Sequence, residues 1–183
     1  NVDNLTWAYT HLNKRASSGV DGVTYSDYGH NLKENLRDLV DRLKNKTYKA
    51  KLIRRTYIPK SATKMRPLGI PAIEDKIVQY ATTKILESVY EADFIETSYG
   101  YRPHRGAHDA VKAVNKLAQF KPLNYVVEAD IKGFFDNIDH DWLLRMLELR
   151  INDRALVHLI RKWLKAGVLE KEMIIHPDMG TPQ

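Results

Sequence analysis

The stretch Tyr125-Val-Val-Glu-Ala-Asp-Ile-Lys-Gly-Phe-Phe-Asp-Asn-Ile-Asp139 constrains the chain more than any other. Its β-branched and aromatic opening predicts a strand, and the strand ends on a carboxylate, Asp130. Gly133 then permits a tight turn ahead of Phe134 and Phe135. A carboxylate at the end of a buried strand is unfavourable unless something pairs with it, and a divalent cation is one such partner. A second reading has Asp130 capping a turn and the two phenylalanines filling a core. The rest of the chain has to decide between them.

Length and composition bound the answer. With 183 residues, 43% hydrophobic and 28% charged, the chain can bury one core, split at most between two lobes. It has no cysteine, which excludes a disulfide framework, a thiolate metal site and a cysteine nucleophile. No apolar run approaches membrane-spanning length. The N-terminus carries no signal-peptide pattern, so the expectation is an intracellular protein with no membrane partner.

The net charge of +6 says less than its distribution. Nine Lys or Arg and no acidic residue lie between Lys44 and Arg66, the pattern of a surface that attracts polyanions through salt-dependent contacts. Within that run, Ile53–Ile58 and Met65–Ile70 read as strands stopped by Pro59 and Pro71. The polar linker 60–64 makes them a hairpin with a basic tip. Pro59 and Pro67 place it at an edge or bulge. Lys60, Lys64 and Arg66 then project from the tip, where a triphosphate and a nucleic-acid backbone are equally suitable ligands.

Apolar spacing predicts helices over about 3–15, 28–43 and 75–92, another from about 108 to just before Pro122, and two more over 139–149 and 153–166. Asp139 is placed to cap the fifth and Gly167 to end the sixth. Residues 17–24 read as a loop and Met173–His176 as strand-like. The loop Thr97-Ser-Tyr-Gly-Tyr-Arg-Pro-His-Arg-Gly106 interleaves rings with guanidinium groups, which suits bases and phosphates. His104 and His108 share a helical spacing, but zinc needs at least a third ligand and none is signalled.

Taken in order, these motifs resemble reverse transcriptases of the group II intron-encoded (maturase) family. Gly19-Val-Asp-Gly-Val-Thr24 is similar to the family's N-terminal extension motif. Tyr57-Ile-Pro-Lys60 with Arg66-Pro-Leu-Gly-Ile-Pro71 resembles the first finger motif, and Ser98-Tyr-Gly-Tyr-Arg-Pro103 with His108-Asp109-Ala110 the second. Ala129-Asp-Ile-Lys-Gly-Phe-Phe-Asp-Asn-Ile-Asp-His140 resembles the palm motif with the first catalytic aspartate, and Gly180-Thr-Pro-Gln183 the start of the next. The aromatic-Ala-Asp-Asp turn that follows in the family does not occur in this sequence.

The resemblance implies an α+β right-hand polymerase fold, comprising fingers and a partial palm with the thumb absent. Fingers are expected over about 1–84 and 140–180, and palm over about 85–139 and 181–183. It implies an RNA-directed DNA polymerase of a group II intron, joining deoxynucleotides by two-metal phosphoryl transfer, with this fragment inactive alone. The alternative is an intron RNA-binding maturase module that assists splicing. Asp130 is implied as the catalytic aspartate and, with the Ile131 carbonyl, as a ligand of Mg2+, with Mn2+ as the substitute ion. Lys60, Arg66, Phe135 and Gln183 are implied to contact the incoming deoxynucleoside triphosphate, Phe135 facing its sugar. Lys64, Tyr101, Arg102, Arg105, Lys46, Lys49, Lys51, Arg54 and Arg55 are the nucleic-acid candidates. Whether the last five touch template or intron RNA stays open at this stage. Intron RNA, template RNA and a DNA primer are the expected partners. A homodimer through the fingers or an exposed palm surface is also expected, in a ribonucleoprotein of the bacterial cytoplasm or an organelle.

Overall fold

The computed structural model describes residues 1–181. The chain divides into two compact units. One comprises Asn1–Thr82 together with the chain from Gly133 onward, the other Thr83–Lys132.

In the first unit, α1 (Val2–Thr10), α2 (Tyr25–His30), α3 (Leu32–Lys44) and the start of α4 (Ile73–Tyr90) enclose the main core. Leu36 and Leu39 of α3 are fully buried, as is Ile77 of α4. The apolar stripe of α3 follows the helical period, and Lys33, Asp38 and Asp41 sit on its wet face. The helix predicted over 28–43 is in fact two. Thr24 and Asp27 form a reciprocal capping box that starts α2 three residues earlier, and Asn31 breaks the run with φ −122° and ψ 42°. Later in the chain, α6 (His140–Glu148) and α7 (Arg154–Leu164) begin on the capping carboxylates Asp139 and Asp153, and Trp163 of α7 packs against the core.

The sheet has the order β2-β1-β3-β4, with β1 Ile53–Pro59, β2 Met65–Ile70, β3 Val168–Glu170 and β4 Met173–Ile175. β1 pairs antiparallel with β2 and parallel with β3, while β3 and β4 form a second, very tight hairpin. Pro67 is tolerated because β2 is an edge strand. The architecture is therefore α+β, a helical layer with a small mixed sheet. It fits reverse transcriptase-like fingers with partial palm, with no thumb among the described residues.

A polar network ties the helical layer together. The carboxylate of Asp75, 2% exposed, accepts from the Tyr48 hydroxyl and from the Lys51 amide at 3.1 Å. Trp163 Nε1 donates to the Tyr48 oxygen at 3.0 Å, and Lys162 Nζ to the Tyr48 carbonyl at 2.6 Å. Burial raises the Asp75 pKa above the usual carboxylate range, against the lowering effect of its two donors.

The second unit holds the end of α4, the loop to Gly106 and α5 (Ala107–Phe120), which is amphipathic but buries none of its residues. Here one expectation fails. Residues 122–131 form no strand or helix, and Tyr125, Val126 and Val127 are at least 90% exposed. Their β propensity is real, but a strand exists only by pairing, and no strand among the described residues pairs with them.

Candidate nucleotide and nucleic-acid interface

The basic hairpin is built as its sequence demands. The β1–β2 ladder runs from Arg54↔Ile70 to Pro59↔Met65. Its tip closes when the Lys60 and Ser61 amides both donate to the Lys64 carbonyl, at 2.8 and 3.2 Å. Cross-strand partners share a face of the ladder. Arg66 therefore lies on the side of Arg54, Thr56 and Ile58, and Arg55 on the side of Tyr57. The Lys60 and Lys64 side chains are exposed and form no ion pair among the described residues. Lys60, Lys64 and Arg66 are thus gathered at one end of one hairpin.

At the other end of the hairpin the charges turn inward. Arg54 donates through Nε and Nη2 to the Ser18 carbonyl, at 3.1 and 2.6 Å, and Lys76 Nζ donates to the Ser17 carbonyl at 2.6 Å. Lys51 pairs with Asp21 at 2.8 Å. Gly19 packs so closely that a Cβ there would lie 2.6 Å from the Ala72 backbone. Loop 17–24 is therefore fastened to the sheet and α4 by Lys51, Arg54 and Lys76. Lys46 and Lys49 are exposed on either side of buried Tyr48. Arg55 lines a cleft of about 90 Å³ with Asp136, Val168, Pro177, Met179, Gly180 and Thr181.

That cleft leads to the turn carrying Phe135. Gly133 takes φ +63°, and the Asn137 amide and side-chain nitrogen both donate to its carbonyl, at 3.1 and 2.7 Å. A 3-10 turn over Phe135–Asn137 follows. Phe135 lies edge-on to Phe134, ring centroids 5.3 Å apart, and is 44% exposed rather than part of a core. The segment ending at Thr181 closes on this turn. Gly180 N–H donates to the Ile138 carbonyl at 2.7 Å and Thr181 N–H to the Phe135 carbonyl at 2.8 Å. Buried His140 donates from Nε2 to the Gly180 carbonyl at 2.6 Å. The segment at Gly180 and Thr181 and the turn around Phe135 are thus brought together. Sequence reading passed over His140, whose signal was its place directly after the capping residue Asp139. Gln183 lies outside the described residues.

In the second unit, Asp130 and Ile131 lie on the segment 122–131, outside any strand, and are exposed. Their carboxylate and carbonyl oxygens are hard donors of the kind Mg2+ takes, but two are too few. Among the described residues no group of three or more His, Asp or Glu could hold an ion, so the residues present do not by themselves fit a bound metal. Arg102 is buried, 4% exposed at its side chain. It forks onto the Glu91 carboxylate, at 2.7 Å from Nη2, and donates from Nη1 to the Ile95 and Ser98 carbonyls at 2.9 Å each. Its guanidinium lies 5.0 Å from the Phe94 ring centroid, and it holds the Glu91 carboxyl below its ordinary pKa. Tyr101 beside it is fully exposed at φ +55°, and Arg105 stacks on Tyr99 while donating to the Glu96 carbonyl. Of the three predicted contacts in this loop, Tyr101 faces solvent and Arg102 is held inside.

The family model for reverse transcriptase (RNA-dependent DNA polymerase) matches residues 58–183. The chain belongs to the reverse transcriptase family. Two of the relatives it resembles are named as intron proteins. It is 40% identical over 177 residues to the group II intron-encoded protein LtrA of Lactococcus lactis subsp. cremoris, covering 96% of this chain and 29% of LtrA. Protein YkfC of Escherichia coli (strain K12) is 38% identical over 168 residues, 90% of this chain and 44% of YkfC. Nuclear intron maturase 1, mitochondrial, of Arabidopsis thaliana is 28% identical over 95 residues, 52% of this chain and 13% of that protein. The chain spans less than a third of LtrA and less than half of YkfC. The reverse transcriptase match thus begins inside β1 and takes in the hairpin tip, the Phe135 turn and Asp130. No described helix is long and apolar enough to cross a membrane.

Proposed function

We propose that this segment is the fingers (about 1–84 and 140–180) and partial palm (about 85–139 and 181–183) of a group II intron's RNA-directed DNA polymerase. Lys60 and Arg66 grip the triphosphate of the incoming deoxynucleotide, and Phe135 faces its sugar. Asp130 supplies the first of the catalytic carboxylates. With the Ile131 carbonyl it would contribute to holding Mg2+, or Mn2+, only where further carboxylates complete the set. Two-metal polymerases use such ions to activate the attacking hydroxyl and neutralise the transferring phosphate. Tyr101, Arg105 and Lys64 contact template RNA, and Lys46, Lys49 and Arg55 widen the nucleic-acid surface. Lys51, Arg54 and Arg102 act on that surface by holding its loops in place. The observation that carries this reading is the basic hairpin, with Lys60, Lys64 and Arg66 collected at one tip.

The test has two arms. The isolated 183-residue chain should add no nucleotide to a primed RNA template. A polypeptide continuing through the later catalytic aspartates should do so, and Asp130→Asn should abolish it. Extension by the isolated chain, or by the longer polypeptide carrying Asp130→Asn, would reject the assignment.

The second reading, an intron RNA-binding module that assists splicing, is favoured by the basic run, which continues away from the tip to Lys46 and Lys49. Affinity for a structured intron RNA against an unrelated RNA of equal length, across a salt series, separates the two. Selectivity that survives rising salt supports self-sufficient intron recognition; equal affinities that fall together assign the surface to backbone tracking alone. The unpaired apolar segment 122–131 also supports a homodimer, which concentration-dependent mass in solution checks. The setting that fits is a ribonucleoprotein in a bacterial cytoplasm or an organelle.

A further inference from the structure

We propose that His140 is a positioning residue for sugar selection, latching the segment at Gly180 and Thr181 to the turn that presents Phe135. The role rests on the polymerase reading above.

Three observations converge. A histidine 7% exposed donates from Nε2 to the Gly180 carbonyl at 2.6 Å. The amides on either side of that carbonyl donate back into the same turn, Gly180 to Ile138 at 2.7 Å and Thr181 to Phe135 at 2.8 Å. Gly180 itself stands at φ +80°, and a Cβ there would lie 2.6 Å from the Asp136 carbonyl oxygen. The latch thus demands glycine at one side and a donor at the other. Because the Thr181 amide bonds the carbonyl of Phe135 itself, backbone freedom at Thr181 becomes freedom of the Phe135 ring. A ring that excludes a 2′-hydroxyl must be held within a fraction of an ångström. A histidine that merely filled a core would not be linked to the ring in this way.

His140→Ala and Gly180→Ala break the latch from opposite sides. His140→Gln restores a donor where Nε2 stood. In the 183-residue chain, both alanine variants should speed exchange of the two latch amides, those of residues 180 and 181, at least about tenfold. The amides of α3 should keep their protection, which shows that the fold persists. In a polypeptide continuing through the later catalytic motifs, both should raise KM for deoxynucleotides several-fold, with a smaller change in kcat. Both should also lower the preference for deoxy- over ribonucleotides, with the Gln variant near wild type. Unchanged exchange, or faster exchange with KM and sugar preference intact, overturns the proposal. Failure of the wild-type longer polypeptide to add any nucleotide overturns the polymerase reading itself, and this role with it, while the exchange result still reports the latch.

Discussion

Tyr48 gives its hydroxyl hydrogen to the buried carboxylate of Asp75, and the same oxygen accepts from Trp163. The segment after α3, the first turn of α4 and the end of α7 meet at that pair. Tyr48→Phe leaves the Asp75 oxygen and the Trp163 N–H unpaired in a dry site. The variant should be destabilised by about 2–3 kcal/mol, measured as a lowered denaturation midpoint with unchanged slope.

The same carboxylate sets a pH dependence. Because the folded-state pKa of Asp75 is raised by burial, the native state holds its proton longer than the unfolded chain does. Its contribution is complete below the unfolded pKa of about 3.9 and is lost as pH rises through the folded value. Asp75→Asn removes that titration. The stability of wild type relative to the Asn variant should therefore shrink as pH rises from about 4. A difference that grew with pH would mean the two donors outweigh burial.

At the tip of the basic hairpin, Lys60→Ala and Lys64→Ala remove charges without packing, so stability should move by less than about 0.5 kcal/mol. Lys64→Ala should lower RNA affinity uniformly across sequences and lessen the slope of log K against log salt by about one, whereas Lys60→Ala should raise KM for deoxynucleotides in the longer polypeptide and leave that slope in place. A change confined to one RNA sequence would point to base contacts instead.

Arg102→Lys tests the difference between a clamp and a ligand. A lysine cannot fork onto Glu91 and reach two carbonyls at once, so the loop around Tyr101 should open. The cost should be on the order of 2–3 kcal/mol in the second unit, with faster amide exchange from Ile95 to Arg105. If Arg102 acted chiefly on RNA, the variant would lose affinity while keeping its exchange protection.

Much of this fold can be read from residue order. Both strands of the basic hairpin, the stripe of α3 and the capping role of Asp139 follow from local chemistry, because turn residues, periodicity and caps act over a few positions. The features that escape such reading depend on partners distant in sequence. Ile53 pairs with Val168, which made β3 invisible, and its hairpin turn at Lys171 and Glu172 takes φ +47° and +68° without the usual Asn or Gly. Val126 and Val127 show the converse, strand-forming residues with no partner strand among the described residues. The candidate site divides in the same way. The sequence places Lys60 and Arg66 on one hairpin, whereas the inward-facing Arg54, Lys51 and Arg102 resemble surface charges until Ser18, Asp21 and Glu91 are seen opposite them.

The parallel pairing of β1 with β3 bears on the order in which the molecule is made. On a ribosome the basic hairpin emerges before the strand that flanks β1 on its other side, which is synthesised only after all the chain between Ile70 and Val168. Contacts between such distant segments form slowly, and a growing chain folds its earlier segments first. The nascent protein therefore passes through a stage in which its basic hairpin is extruded while one edge of β1 is still bare. Any RNA close to the translating ribosome then meets the cationic tip before the sheet behind it has closed.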